Sequence, residues 1–228
     1  MSIAEKLNTI AENEQKVYDK GVTDGNEYMR LLATKGISRD GARTNYNRAF
    51  RQTNYGDIGF EFVEGYIRPT NADEMFYEYL GITLPKGIDL SRATTARYIC
   101  TWASKLIELP DFGLQAGCDI DYIVQHCSAL KTIEVLRVNE SRALYAWSFQ
   151  NCKALENLTI EGILIGNLVL SDCSLLTHDS LMSVINALKD YSEDTSGTTH
   201  TLTIGSENIA KLSTEELAII IQKGWAYN

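Results

Sequence analysis

Several features are missing from this chain of 228 residues, and each absence excludes something. No stretch approaches the roughly 20 consecutive apolar residues of a membrane-spanning helix, so membrane insertion is not expected. The N-terminus, Met1-Ser2-Ile3-Ala4-Glu5-Lys6, lacks a basic region followed by an apolar core, so no secretory signal is read there. Basic residues are in deficit: 21 Lys and Arg face 30 Asp and Glu, a formal net charge of −9. Nucleic acids and anionic membranes reward a basic surface, and neither is an expected partner. Proline is limited to 3 residues while 44% of the chain is hydrophobic, which argues against extensive disorder. There is no phosphate-binding glycine loop, no nucleophile elbow, no Cys-x-x-Cys and no more than 3 His. Carboxylates are plentiful, but nothing pairs two of them across a cleft as glycoside hydrolysis requires. The chain is therefore read as non-enzymatic, without metal or cofactor, and composition predicts a soluble acidic protein made in the cytosol.

What is present begins with a periodic helix. In residues 1–21, Ile3, Leu7, Ile10 and Val17 fall at alternating steps of four and three, with Glu14 in the remaining seam position, and Gly21 supplies a stop. A helix this short is marginal alone, so its seam needs either its own domain or sister chains. Residues 22–70 read as a connecting region. Arg39, Arg43, Arg48 and Arg51 form either a solvated loop or an anion or partner site. Phe60, Phe62 and Tyr66 alternate with aliphatics between Gly56, Gly59 and Gly65, as in a strand pair.

A repeat dominates residues 71–176. Ile99, Ala103, Leu106 and Leu109 recur one unit later as Ile123, Cys127, Leu130 and Ile133. They recur again as Phe149, Cys152, Leu155 and Leu158, then in truncated form as Cys173 and Leu176. Met75, Tyr79, Ile82 and Leu84 are a looser first copy, and Leu84-Pro85 and Leu109-Pro110 close two units alike. A period in the low-to-mid twenties marked by Leu and Cys predicts a leucine-rich-repeat solenoid, in which each coil buries its apolar edge on the next. Cys127, Leu130, Cys152, Leu155, Cys173 and Leu176 are the expected repeat core, the small Cys suiting a crowded corner. A redox or metal role for His126-Cys127 with Cys118 is the competing reading.

Leu158–Ile160, Ile163–Ile165 and Leu168–Leu170 follow at five-residue steps and predict short extended runs. Residues 177–228 read as a capping module. Thr177 or Asp179 begins a helix striped by Leu181, Val184, Ile185 and Leu188, and Thr199–Ile204 alternates as a strand. Ser213-x-x-Glu216 is a capping box ahead of Leu217, Ile220 and Ile221, with Gly224 placed to end that helix. The predicted fold class is thus α+β: an N-terminal helix (a short coiled-coil stem), a short leucine-rich-repeat solenoid and an α/β C-terminal cap.

Residues 11–21, Tyr46–Phe50, Ile67–Ala72 with Met75-Phe76, and the segment Phe149-Gln150-Asn151-Cys152-Lys153-Ala154-Leu155 carry a resemblance. So do Thr199–Ile204, Leu212-Ser213 and Lys223-Gly224-Trp225. Together they resemble BspA-like leucine-rich-repeat proteins of bacteriophage and prophage structural type. Trp102 and Ala103 depart from that pattern, standing where Phe and Cys are expected nearby. The resemblance implies a virion localisation in a tail, baseplate or head fibre. It also implies a homo-oligomer, a trimer being favoured, anchored to other virion proteins by the N-terminal helix, with a surface for a host receptor or glycan. A bacterial adhesin or an intracellular protein-binding adaptor is the alternative. Arg137, Arg142, Tyr145 and Trp147 are the candidate receptor-binding anchors, since Arg and aromatics dominate interface hot spots. Tyr145 and Trp147 have a second reading, as side chains that fill the coil interior.

Overall fold

Turns, more than strands, organise this chain. The computed structural model describes residues 50–53 and 68–228. The expected stem with Ile3, Leu7, Ile10 and Val17, together with Arg39, Arg43, Arg48, Phe60, Phe62 and Tyr66, lies outside the described residues. In the segment after Asn71, alternate backbone N–H groups have different destinations. Those of Ala72, Glu74, Phe76 and Glu78 donate to the carbonyls of Thr95, Arg97, Ile99 and Thr101 at 2.7–2.9 Å. Those of Met75, Tyr77 and Tyr79 turn back onto Ala72, Glu74 and Phe76 at 3.0–3.1 Å. One turn later, Ala96, Tyr98, Cys100 and Trp102 donate to Asp119, Asp121, Ile123 and Gln125. Half the donors thus close local turns and half bond the next segment, so both are satisfied without a long strand.

The apolar residues of these segments face a continuous core. Met75, Phe76, Tyr79, Ile99, Cys100, Ala103, Ile123, Val124, Cys127, Phe149 and Cys152 are buried to within 1% of full occlusion. Leu106, Leu130, Leu155 and Leu176 stack behind them, also buried. Removing such a leucine side chain from water contributes about 1.5–3 kcal/mol, so this column holds the turns together.

Strands form where the segments straighten. β1 (Glu108–Leu109), β2 (Thr132–Val138) and β3 (Asn157–Gly162) make one parallel sheet in that order, with an irregularity between Ile133 and Leu136. β4 (Leu168–Val169), β5 (His200–Thr203) and β6 (Trp225–Tyr227) make a second parallel sheet. The helices are α1 (His178–Ala187), α2 (Ser206–Ile209) and α3 (Thr214–Gln222). The predicted α+β class, with one leucine-rich-repeat solenoid and an α/β cap, is corrected by this arrangement. The described residues form three helices and six short parallel strands divided between two small sheets. The physical reason lies in the turns: they spend alternate N–H groups on local bonds, so no single repeating sheet runs through the described residues. The run Ile163–Ile165 contributes only the isolated bridge Leu164↔Leu188.

α1 closes the open edge of β3 with side chains. The hydroxyls of Ser180 and Ser183 accept from the N–H groups of Leu158 and Ile160 at 2.9 and 2.8 Å. Thr177 caps the start of α1 and Ser213 with Glu216 forms a complete capping box on α3. At the far end of α1, Lys223 Nζ donates to the carbonyls of Ile185, Asn186 and Leu188 at 3.1, 2.7 and 2.9 Å. A cation there satisfies the carbonyls that a helix leaves unpaired. His178 Nε2 meets Glu216 Oε1 at 2.8 Å, tying the starts of α1 and α3 together.

Gly162 ends β3 at φ +105°, and a Cβ there would lie 1.9 Å from Val138 O. Gly162→Ala is expected to destabilise the protein by about 1–3 kcal/mol in urea titration, as for other residues forced into glycine-only backbone regions. The His178–Glu216 pair gives a pH signature. Hydrogen bonding to Glu216 raises the His178 pKa, so its contribution is present below the ordinary histidine value and lost as pH rises through the folded value. Glu216 is lowered by the Ser213 backbone N–H and by His178, so its contribution is lost as pH falls through its folded value. The melting-temperature difference between wild type and His178→Gln should therefore peak between about pH 4.3 and 6.5 and shrink on either side.

Candidate functional site

The cysteines lie inside the fold rather than at its surface. All five cysteines are free and buried. Cys127 Sγ donates to Cys100 O at 2.9 Å, Cys152 Sγ to Val124 O at 3.0 Å, and Cys173 Sγ to Phe149 O at 3.6 Å. Each of these three thiols thus bonds a carbonyl from an earlier turn. Burial pushes all five thiols up, Cys118 and Cys152 to about 12, so the reactive thiolate is suppressed near neutral pH. Among the described residues, no group of three or more His, Cys, Asp or Glu is arranged to hold a metal ion, and no helix is long and apolar enough to cross a membrane. A cavity of about 10 Å³ lies between Cys118, Asp121, Arg137, Asn139 and Arg142, room for about one water.

The surface offers more. Stacking of successive turns superimposes equivalent positions, and at two of them the side chains are aromatic. Tyr98 stacks on Tyr122 with ring centroids 4.5 Å apart, and Tyr145 lies against Tyr122 at 3.8 Å with the rings tilted by 31°. Hydrogen bonding with Tyr145, then burial, raises the Tyr122 hydroxyl to about 12, and Tyr98 adds to the same effect. Further along each turn runs a second column. Trp102 stacks on His126 at 3.9 Å, Asn151 Nδ2 meets His126 Nδ1 at 2.9 Å, and Asn151 N donates to Asp172 Oδ2 at 2.8 Å. Between the columns, Gln125 Nε2 donates to Gln150 Oε1 at 2.6 Å.

The backbone under these columns is unusual. Tyr98, Trp102, Tyr122, His126 and Asn151 all have φ between 56° and 66°. Left-handed backbone costs a side-chain-bearing residue about 1–2 kcal/mol, and glycine would occupy these positions more cheaply. Ring stacking across turns returns about 0.5–1.5 kcal/mol per pair. The columns and the turn geometry therefore support each other.

Charged residues beside the tyrosine column are mutually engaged. Arg97 bonds Asp73 at 2.9 Å and approaches Asp119 at 3.6 Å; Arg142 bonds Asp119 at 2.8 Å and Asp121 at 3.1 Å. Burial pushes the Asp73 carboxyl up, but hydrogen bonds from Arg97 and Thr95 outweigh it and hold the group below its ordinary value.

The four candidate anchors are scattered between roles. Arg137 grips Asp111 through two bonds of 2.8 Å and reaches Glu161 at 3.1 Å. Its guanidinium is the main cause of the low Asp111 pKa. Arg142 is spent on the aspartates described above. Tyr145 ends the tyrosine column, half-buried, and its N–H donates to Asp121 Oδ1 at 2.9 Å. Trp147 is 44% exposed, which corrects the reading of it as an interior side chain; Phe149, two positions on, fills the core instead. Cys127, Leu130, Cys152, Leu155, Cys173 and Leu176 are all buried. Sequence reasoning missed Tyr98 and Tyr122 altogether, and it named Trp102 only as a departure from the repeat and His126 only as a redox or metal residue, not as partners in a stack. The signal was available: aromatic rings recur with the same period as the core, from Tyr98 to Tyr122 and from Trp102 to His126.

Tyr122 gives a clean test of the balance between stacking and backbone. Tyr122→Ala loses two ring contacts and keeps the left-handed cost, whereas Tyr122→Gly loses the contacts and relieves that cost. In urea titrations the glycine variant should be more stable than the alanine variant by about 1 kcal/mol, although less stable than wild type.

No family model matches the chain, and no curated protein or solved structure matches it.

Proposed function

We propose that this chain is a non-enzymatic recognition module of a bacteriophage virion appendage, displaying its aromatic columns to a receptor or glycan of the host cell. One observation carries the recognition part. Trp102, in left-handed backbone and stacked on His126, is 49% exposed, and Trp147, two residues beyond the last ring of the tyrosine column, is 44% exposed. Exposed tryptophans at a rigid site are the side chains that interfaces use as anchors, because they bury a large area with little loss of conformational freedom. The virion part rests on the resemblance carried by the Phe149–Leu155 segment and by residues 11–21. In this reading the N-terminal segment, residues 1–21, anchors the chain among other virion proteins as a homo-oligomer, a trimer being favoured.

Two measurements test the reading. Mass spectrometry of particles purified from the strain that encodes the chain should detect it as a particle component; absence from pure particles overturns the virion assignment. Purified protein should adsorb to host cells, and the Trp102→Ala/Trp147→Ala double variant should adsorb about tenfold less, the loss expected when a hot-spot aromatic is removed. Equal adsorption by the folded double variant overturns the recognition surface, and capture of one intracellular host protein without particle association favours an adaptor instead.

A further inference from the structure

The strip between the two columns has a chemistry of its own, and we infer that it binds an uncharged polysaccharide, with Trp102 as the stacking platform and the Gln125–Gln150 pair as the hydrogen-bonding rail. This rests on the recognition reading above and narrows it to a ligand class. Three observations converge on it.

The first is electrical. Beside the tyrosine column Asp73, Asp119 and Asp121 form an ion-pair cluster with Arg97 and Arg142, and both guanidiniums are engaged by these carboxylates at 2.8–3.6 Å. The cluster leaves one negative charge in excess and neither of its cations uncommitted. Phosphate, sulfate and carboxylate ligands are recognised by free Arg or Lys forks, so an anionic polymer meets net repulsion here. The whole chain, at −9, acts in the same direction.

The second is the pairing of ring surface with neutral hydrogen-bonding groups. Trp102 has His126 against one side of its indole and remains 49% exposed. An indole surface of that kind takes the apolar C–H face of a sugar ring. Beside it, the Gln125 Nε2 to Gln150 Oε1 bond leaves Gln125 Oε1 as an acceptor and Gln150 Nε2 as a donor, both on half-buried residues. The hydroxyls of the tyrosine column add groups that both donate and accept. Sugars present alternating C–H and O–H groups and are matched by that combination, whereas a protein partner requires a desolvated apolar centre ringed by polar groups.

The third is repetition. Tyr98, Tyr122 and Tyr145 repeat one group along the stack, Trp102 and His126 repeat another, and Gln125 and Gln150 a third. A strip that offers the same contacts at successive turns is suited to a polymer lying along it. Each subsite can then be weak, because linked subsites bind with enhanced avidity.

Titration calorimetry of the full chain decides the matter, with dextran, a soluble galactan and chitin hexasaccharide as neutral probes, and hyaluronan and dextran sulfate as anionic ones. The expected result is binding to at least one neutral probe and to neither anionic probe, accompanied by a change in tryptophan emission. Trp102→Ala should weaken that binding about tenfold, while Ile221→Ala, an exposed apolar residue on α3, leaves it unchanged. Circular-dichroism melts confirm that both variants fold; if Trp102→Ala does not, the Gln125→Ala/Gln150→Ala double variant carries the same expected loss. Unchanged binding in a folded rail or platform variant, or preference for an anionic probe, overturns the inference. Host-cell adsorption without binding to any neutral probe overturns the ligand class alone, and loss of both overturns the recognition reading as well.

Discussion

The alternation of backbone hydrogen bonds is the constraint on which everything else depends. In the segments that begin at Ala72 and Ala96 one N–H closes a local turn and the next reaches the following segment, as Met75 and Phe76 do with Ala72 and Ile99. That pattern fixes the vertical register, because a slip of one position would exchange inward and outward donors and strand both sets. With register fixed, equivalent side chains are superimposed turn upon turn. Buried positions become columns of Ile, Leu and Cys, and surface positions become columns of half-buried Tyr and His with the exposed Trp102.

The same constraint explains why apparently costly features persist together. Closing a turn at every second residue needs left-handed backbone at Tyr98, Trp102, Tyr122 and His126. Stacking offsets part of that cost and at the same time stiffens the surface. The thiols of Cys127, Cys152 and Cys173 fit the inner corners because they are small and give a weak donor to a carbonyl of an earlier turn. Their chemistry is suppressed by the burial that makes them useful. Charges follow the same logic: Asp73, Arg97, Asp119 and Arg142 interlock between turns, spending their electrostatic attraction internally. What is left outward is an aromatic, repetitive strip bordered by ion pairs already satisfied within the fold.

Legibility in the sequence differed by element. The end of the chain was readable because its signals are local: Ser213 with Glu216 forms the capping box, and α1 starts at the Thr177 cap. The burial of Leu130, Leu155 and Leu176 followed from the same spacing that exposed the repeat. The architecture was not readable, because spacing reports which residues return to the core and not how the intervening backbone spends its hydrogen bonds. Two small sheets joined by turns and one long repeating sheet share the same apolar period. Trp147 shows the limit for single residues. Its type suited core and surface equally, and only the packing of Phe149 into the interior assigned it to the outside.

The sequence by itself determined the acidic balance, the repeat period, the buried Leu and Cys positions and the helix caps, since each depends on composition, on spacing or on near neighbours in the chain. Tertiary structure alone decided that Arg137 and Arg142 would be occupied by aspartates from other segments. It also decided that Tyr98, Tyr122 and Tyr145 would align in one column, with Trp102 and His126 in another. Those contacts join residues a full turn apart in the chain, and their partners exist only once the turn-to-turn hydrogen bonds have set the register.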